Sequence, residues 1–147
     1  MVYNDKSTKI LIEAKGFNYK GKGDLQASNF SLKTSARIDS LSFTYDKSEY
    51  LKNKKVKADL ITKINTNSLS FIFEKNDLVI NKLPVEFTGF FDFLKNGYQM
   101  DFKLKTENSD LDDLFTALPA EYVSWMTETK MKGKTSAFLT LKGKYIA

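Results

Sequence analysis

The side chains that could do acid–base chemistry in this sequence are carboxylates, and two of them flank a predicted hairpin. Asp92 and Asp101 lie on either side of Asn96-Gly97, a dipeptide that accepts the positive φ angles of a tight β-turn. Facing each other across the hairpin, they would form the carboxylate pair that a glycosidase needs in a cleft. Both alternate with apolar residues and fall on the polar side of their strands, which favours a solvated surface position over catalysis.

Other potentially reactive residues fit structural roles better. Asp110, Asp112 and Asp113 could ligate a metal, but their spacing lacks the glycine and the final glutamate of a calcium loop. Acidic residues are favoured in the first turn of a helix, which explains all three. The glycine-rich stretch 16–23, GFNYKGKG, lacks the GK[ST] ending of a phosphate loop, and no helical pattern follows it.

The sequence contains neither cysteine nor histidine. This excludes thiol nucleophiles, disulfides, zinc sites built on Cys or His, and the Ser-His-Asp triad. No serine lies in a G-x-S-x-G motif either. We therefore expect a protein that is not an enzyme, with no catalytic residue, no cofactor and no bound metal.

The net charge of +5 comes from lysines that are spread along the chain, with Arg37 as the single arginine. A nucleic-acid surface would need clustered basic residues, so we expect a solvated surface and no nucleic-acid partner. The densest run, KNKKVK at 52–57, is expected at a turn-to-strand junction, where lysines protect a sheet edge. A contact with an anionic lipid headgroup is a second interpretation of that run.

Alternation of apolar and polar residues recurs along most of the 147-residue chain, which has the length of one domain. Short polar turns separate the alternating segments, a rhythm typical of an antiparallel meander with one apolar face. Strands are predicted at 8–15, 24–29, 30–39, 41–45, 56–64, 69–74, 78–80, 83–94, 98–106 and 134–145, with turns at 65–67, 75–77 and 95–97. We therefore expect a mainly β fold, a curved antiparallel meander in the form of a groove or half-barrel, with one short helical segment around residues 109–128.

The helical segment contains an apolar stripe with helical spacing. Ser109 or Asp110 is its predicted N-cap, and Pro119 divides it into two short helices. We expect the segment to cap the open end of the sheet, and a gate or a lipid-contacting element is the alternative. The stripe and the aromatic residues that follow it are Leu111, Leu114, Phe115, Leu118, Tyr122 and Trp125.

The apolar face of the strands is the remaining candidate site. One short helical segment is too little to cover it, so the sheet either folds onto itself around a sealed core or stays open as a groove that shields acyl chains. The residues predicted to line the groove are Leu60, Ile64, Leu69, Phe71, Phe73, Val85, Phe87, Phe91, Phe93, Met100, Phe102 and Leu104.

Three stretches of the chain resemble the C-terminal part of bacterial AsmA-like proteins. They are residues 2–34, with GDL between two alternating segments; residues 58–91, ending in NKLPVEFTGFF; and residues 110–145, in which LFTALPAEY precedes a KGK…LKGKY strand. The resemblance is one of pattern and order and includes no catalytic signature.

The AsmA-like family is related to TamB and to bridge-like lipid-transfer proteins, whose β-repeats form a long groove. The resemblance implies a periplasmic location in a Gram-negative cell envelope, an inner-membrane anchor in the full-length protein, and a role in phospholipid transport for outer-membrane biogenesis. It also implies a phospholipid or other acyl-chain lipid as partner. The chain, residues 1–147, would then be a single β-rich domain and a fragment of a longer membrane-anchored protein. A structural or adhesive β-domain with a sealed core and no lipid ligand is the alternative.

Overall fold

The computed structural model describes residues 1–7, 9–124 and 131–146, and it forms one open antiparallel sheet. The mainly β fold with a short helical segment is confirmed. The strands are β1 Val2–Asp5, β2 Ile10–Lys15, β3 Asn18–Lys22, β4 Asn29–Tyr45, β5 Ser48–Asn65, β6 Ser70–Ile80, β7 Leu83–Leu94, β8 Gly97–Asp110 and β9 Lys134–Ile146. Two helices, α1 Leu111–Ala117 and α2 Ala120–Val123, lie between β8 and β9.

The strands follow the chain order from β4 to β9, each pairing with the next. Both β2 and β3 pair with the same edge of β4, and they keep one register, because Lys15 faces Ser40 and Asn18 faces Arg37. They are therefore two halves of one strand, interrupted at Gly16. That residue has a φ of +62°, and a Cβ there would lie 2.1 Å from an oxygen of the Asp39 carboxylate, so the interruption requires glycine.

Several predicted strand boundaries were wrong because the observed strands are longer. The segments predicted at 30–39 and 41–45 form the single strand β4, and most of the segment predicted at 24–29 precedes it as a loop. The KNKKVK run at 52–57 lies within β5 rather than at a junction. The β4–β5 hairpin turns at Asp46 and Lys47, whose φ angles of +45° and +69° place non-glycine residues in the left-handed region.

The turn predicted at 75–77 was also wrong, since these residues continue β6 through a β-bulge. β6 has one residue more than each neighbouring strand here, so the register shifts between Asp59 and Thr62 on β5 and between Phe73 and Asn76 on β6. The side chain of Asn76 is fully buried at the bulge. Its Oδ1 accepts the Ile61 N–H at 2.5 Å and its Nδ2 donates to the Phe87 carbonyl at 3.1 Å. One side chain thus bonds the backbones of both neighbouring strands where the ladder is interrupted.

We expect Asn76→Ala to lower the free energy of unfolding by about 2 to 4 kcal/mol, because two backbone groups lose their partner inside the sheet. Urea denaturation of the two proteins measures the difference. Asn67→Ala is the matched control, since Asn67 is exposed in the β5–β6 turn, and its effect should stay within about 0.5 kcal/mol. Equal losses in the two variants would contradict the bridging role of Asn76.

Candidate functional site

The register of β5 to β8 places eleven of the twelve predicted lining residues on one side of the sheet. Residues directly opposite each other in an antiparallel pair share a face. One row across the sheet contains Ile64, Phe71, Phe91 and Met100, in that order. The exception is Leu69, which lies outside the ladder in the β5–β6 turn with a φ of +51°. We call this side of the sheet the apolar face.

Four residues that were not among the predicted lining residues extend the apolar face across β8 and β9. Tyr98 faces Phe93 on one side and Tyr145 on the other. Leu141 faces Phe102, and Leu139 faces Leu104. The alternation within 134–145 gave the signal, but nothing in the sequence shows that this strand pairs next to β8.

Aromatic rings form two groups on the apolar face. In the inner group, the ring centroids of Phe73, Phe87 and Phe102 are 5.2 to 5.9 Å apart. The outer group runs from Phe71 through Phe93 and Phe91 to Tyr98 and Tyr145, with successive centroids 5.1 to 6.4 Å apart. These separations are those of favourable aromatic pairs. The rings therefore stabilise the sheet laterally, from strand to strand.

Gly89 lies at the centre of the inner group, on β7 between Phe73 and Phe102. These two rings belong to strands that are not neighbours, yet their centroids are 5.9 Å apart. They meet because glycine has no side chain between them. The φ of Gly89 is +145°, and a Cβ would lie 2.1 Å from the Asp101 carbonyl oxygen, so no other residue fits without a backbone shift.

Among the described residues, much of the apolar face is uncovered. Ala14, Ala58, Leu83 and Val85 are the buried hydrophobic residues in the described part of the chain. By contrast, Phe93, Leu141 and Tyr145 are 50 to 54% exposed. The face is therefore closed at the end that contains Leu83 and Val85 and open at the end formed by the outer aromatic group.

The two helices lie against the sheet. α1 contacts β7 and β8, and α2 contacts β5. The predicted cap residues Leu111, Leu114, Phe115 and Leu118 are all half-buried. The prediction for the Tyr122 side chain and for Trp125 falls outside the described residues. The helical segment thus lies over part of the sheet, and its apolar stripe is itself only partly enclosed.

Side chains from the sheet bind the end of α1. The Lys54 ammonium donates to the carbonyl oxygens of Thr116 at 2.6 Å and Leu118 at 3.0 Å. Asn81 Nδ2 donates to the same Thr116 oxygen at 2.9 Å. Burial lowers the pKa of Lys54 from its usual value. α1 has no basic residue in its own last turn, so Lys54 supplies the positive charge favoured at a helix C-terminus.

The carboxylates that could have formed a catalytic pair lie on the opposite, polar face. Asp92 accepts hydrogen bonds from Ser70 and from Gln99 Nε2. Asp101 forms an ion pair of 3.1 Å with Lys142. In the register, Asp92 faces Gln99 and Asp101 faces Phe90, so the two carboxylates are diagonal neighbours rather than an opposed pair. Each carboxylate therefore has a partner that links adjacent strands.

Two of the three acidic residues at the start of α1, Asp110 and Asp112, also have side-chain partners. Asp110 is the N-cap residue by position, but its side chain makes no capping hydrogen bond and instead pairs with Lys134 at 2.9 Å. Asp112 accepts the Met131 N–H at 3.0 Å. No group of three or more acidic side chains in the described residues is arranged to hold a metal ion. These contacts tie the beginning of α1 to the segment that leads into β9.

Comparisons with protein-family models, curated proteins and solved structures found no match to this chain. No helix among the described residues combines the length and apolar character needed to cross a membrane.

We expect Lys54→Met to loosen the helical segment while leaving the sheet intact, because the charged hydrogen bonds to the end of α1 are lost. Hydrogen exchange of the amides in Leu111–Ala117 should accelerate about tenfold, with exchange in β6 and β7 unchanged. Lys55→Met is the matched control, since Lys55 is exposed and bonds Asn81 only through its backbone, while its ammonium does not bind the described residues of α1. Equal exchange of α1 in the two variants would exclude this role for Lys54.

Gly89→Ala should lower the Tm by roughly 5 °C or more, because the new Cβ clashes with the neighbouring strand and the positive φ becomes strained. Gly143→Ala on β9 should change the Tm little, since a Cβ there meets no backbone atom and approaches only the flexible Met100 side chain, with its Cε at 3.0 Å. Differential scanning calorimetry of the two variants makes the comparison. A smaller loss at Gly89 than at Gly143 would contradict the close approach at β7.

Proposed function

We propose that this chain is a non-enzymatic module of the cell envelope, whose apolar face binds lipid acyl chains and supports lipid transfer for outer-membrane biogenesis. The observation that supports it best is a continuous apolar face on a single-layered sheet, with its outer end exposed to solvent. Covering exposed apolar surface with a ligand is favourable by roughly 25 cal/mol of free energy for each Å² that is removed from water. A contiguous surface of this kind is typical of a binding site.

The dimensions of the face suit an acyl chain. The row from Ile64 through Phe71, Phe91 and Met100 continues to Gly143 on β9 and so crosses five strands. At a strand spacing of about 4.8 Å the row is about 19 Å long, which is comparable to an extended acyl chain. The row consists of aliphatic and aromatic side chains and a glycine, and it contains no charged residue. The site therefore favours an unbranched apolar ligand and offers no group that would distinguish one headgroup from another.

The resemblance to AsmA-like proteins supplies the cellular setting of the proposal. In it, the chain is part of a longer protein that is anchored in the inner membrane of a Gram-negative cell and extends into the periplasm. Phospholipid is the ligand in this setting, and nucleic acid is not a partner. The lack of cysteine is compatible with an oxidising compartment.

The test is uptake of a phospholipid with a fluorescent acyl chain from phosphatidylethanolamine–phosphatidylglycerol vesicles. We expect uptake by the unmodified chain and a loss of about tenfold in Phe93→Asp, because a carboxylate in the outer aromatic group must be desolvated when a chain binds. Ile72→Asp is the matched control: Ile72 is 45% exposed against 50% for Phe93, on the neighbouring strand and the opposite face.

Equal uptake by the two variants would show that the apolar face is not the site. No uptake by the unmodified chain, with native mass spectrometry finding no co-purified lipid, would overturn the lipid-binding proposal. It would favour a structural or adhesive domain instead. Circular dichroism of each variant verifies that the sheet remains folded.

A further inference from the structure

Cationic side chains that are far apart in the sequence come together on the polar face of the sheet. The register of β3, β4 and β5 places six of them on that face, and all six are exposed. We call this set the basic patch, and its members are Lys20, Lys22, Lys33, Arg37, Lys57 and Lys63. Each of the three strands contributes two of these residues, so the patch exists only in the folded chain.

Two pairs within the basic patch place like charges directly opposite each other. Lys22 on β3 faces Lys33 on β4, and Arg37 on β4 faces Lys57 on β5. Side chains in direct opposition have Cβ atoms about 4.5 to 5.5 Å apart, and like charges at that distance destabilise a strand pair. An anion that contacts both members of a pair removes this repulsion. The arrangement therefore favours a negatively charged partner.

Carboxylates of the chain neutralise only part of the patch. Arg37 pairs with Asp39 at 3.0 Å, and Lys63 pairs with a glutamate of β6 at 2.6 Å. The other four members, all lysines, form no ion pair with a described residue. Asp59 lies between them on β5, but it faces Ser35 and another aspartate rather than a lysine. The basic patch thus keeps an excess of positive charge.

We propose that the basic patch binds the anionic headgroup layer of a lipid bilayer, with the polar face of β3, β4 and β5 against the membrane. Lysine ammonium groups bind phosphate oxygens as point charges. A lysine near an anionic membrane increases the partition coefficient about fivefold, which corresponds to about 1 kcal/mol.

The dimensions of the patch suit an extended charged surface. Along β4, the position opposite Lys63 and the position of Arg37 are six residues apart, which is about 20 Å at 3.3 Å per residue. Across the three strands the patch measures about 10 Å. Charges distributed over such an area can contact several headgroups at once, whereas a small soluble anion would reach only one pair of cations.

The same surface suits a nucleic acid less well. Proteins that bind single strands stack the bases on aromatic rings, but the rings nearest to the patch in the ladder, Tyr19 and Phe30, lie on the apolar face. Base readout in a duplex relies mainly on arginine and on an element that enters a groove. Arg37 is the single arginine of the chain, and Asp39 already pairs with it. Charge complementarity therefore favours the lipid surface.

Membrane docking through the basic patch goes beyond acyl-chain binding and does not depend on it. The patch and the apolar face lie on opposite sides of the sheet, so a docked chain turns its apolar face away from the membrane. Vesicle binding without acyl-chain uptake would refute the proposed function and leave the docking surface in place. Acyl-chain uptake without vesicle binding would do the reverse.

The test is flotation of the chain with phosphatidylcholine vesicles that contain or lack phosphatidylglycerol. We expect binding only when phosphatidylglycerol is present, and weaker binding as the salt concentration rises. The double variant Lys22→Gln/Lys33→Gln should lower the partition coefficient about 25-fold, because two lysines each contribute about fivefold. Its Tm should not fall, since the substitutions remove a repulsive pair, so thermal unfolding separates lost binding from lost structure.

Two controls locate the contact. Lys82→Gln/Lys95→Gln changes the net charge by the same amount at two exposed lysines in the β6–β7 and β7–β8 turns. It should lower binding by less than about twofold, because charges away from the membrane surface are screened. Phe93→Ser alters the apolar face without changing the charge, and it should bind vesicles as the unmodified chain does.

Equal losses in the two double variants would show that net charge alone is responsible and would overturn the proposal. Binding to vesicles without phosphatidylglycerol, or loss of binding in Phe93→Ser, would place the contact on the apolar face instead. Binding to a duplex oligonucleotide at a lower concentration than to phosphatidylglycerol vesicles would overturn the assignment in favour of a nucleic acid.

Discussion

The rest of the structure depends on the fact that the sheet has one layer. Most domains bury their apolar surface between two layers, but here each strand is supported mainly by its neighbours in the plane. Stability then resembles that of a repeat protein, in which each unit contacts the next and little else. An interrupted ladder is costly in such a fold, because no second layer holds the strands together. The Asn76 side chain compensates for the interruption by bonding to β5 and β7 at the β6 bulge.

The same constraint explains the arrangement of the rings. Without an opposing layer, an aromatic side chain can reduce its contact with water only by leaning over the next strand. The rings of Phe73 and Phe102 do so across Gly89, and the outer group continues the pattern to Tyr145. Lateral packing leaves these rings half-buried or exposed rather than fully enclosed. The stability of the sheet and the availability of the apolar face thus have one physical origin.

The sequence predicted the face better than it predicted the strand ends. Period-two alternation identified which side chains lie together, since a shift by one residue moves a strand's whole apolar set to the other face. It failed at 75–77, because the Asn and Asp residues that favour turns also fit a bulge. It missed the turn at Asp46 and Lys47, which contains no glycine. The bond from Lys54 to the end of α1 joins residues 62 positions apart, and no local pattern indicates such a contact.

The length of the helical segment explains why the apolar face stays open. α1 and α2 together have 11 helical residues, and at 1.5 Å per residue they extend for about 16 Å at most. The eight strands in the main path of the sheet span about 34 Å at a spacing of 4.8 Å. The described helices therefore cover less than half of the sheet width. Lys54 and Asn81 further fix α1 by bonding its last turn, so these contacts hold the segment in place rather than allowing it to move over the outer aromatic group. Within the described residues, Phe93, Tyr98 and Leu141 therefore stay exposed at the outer end of the apolar face.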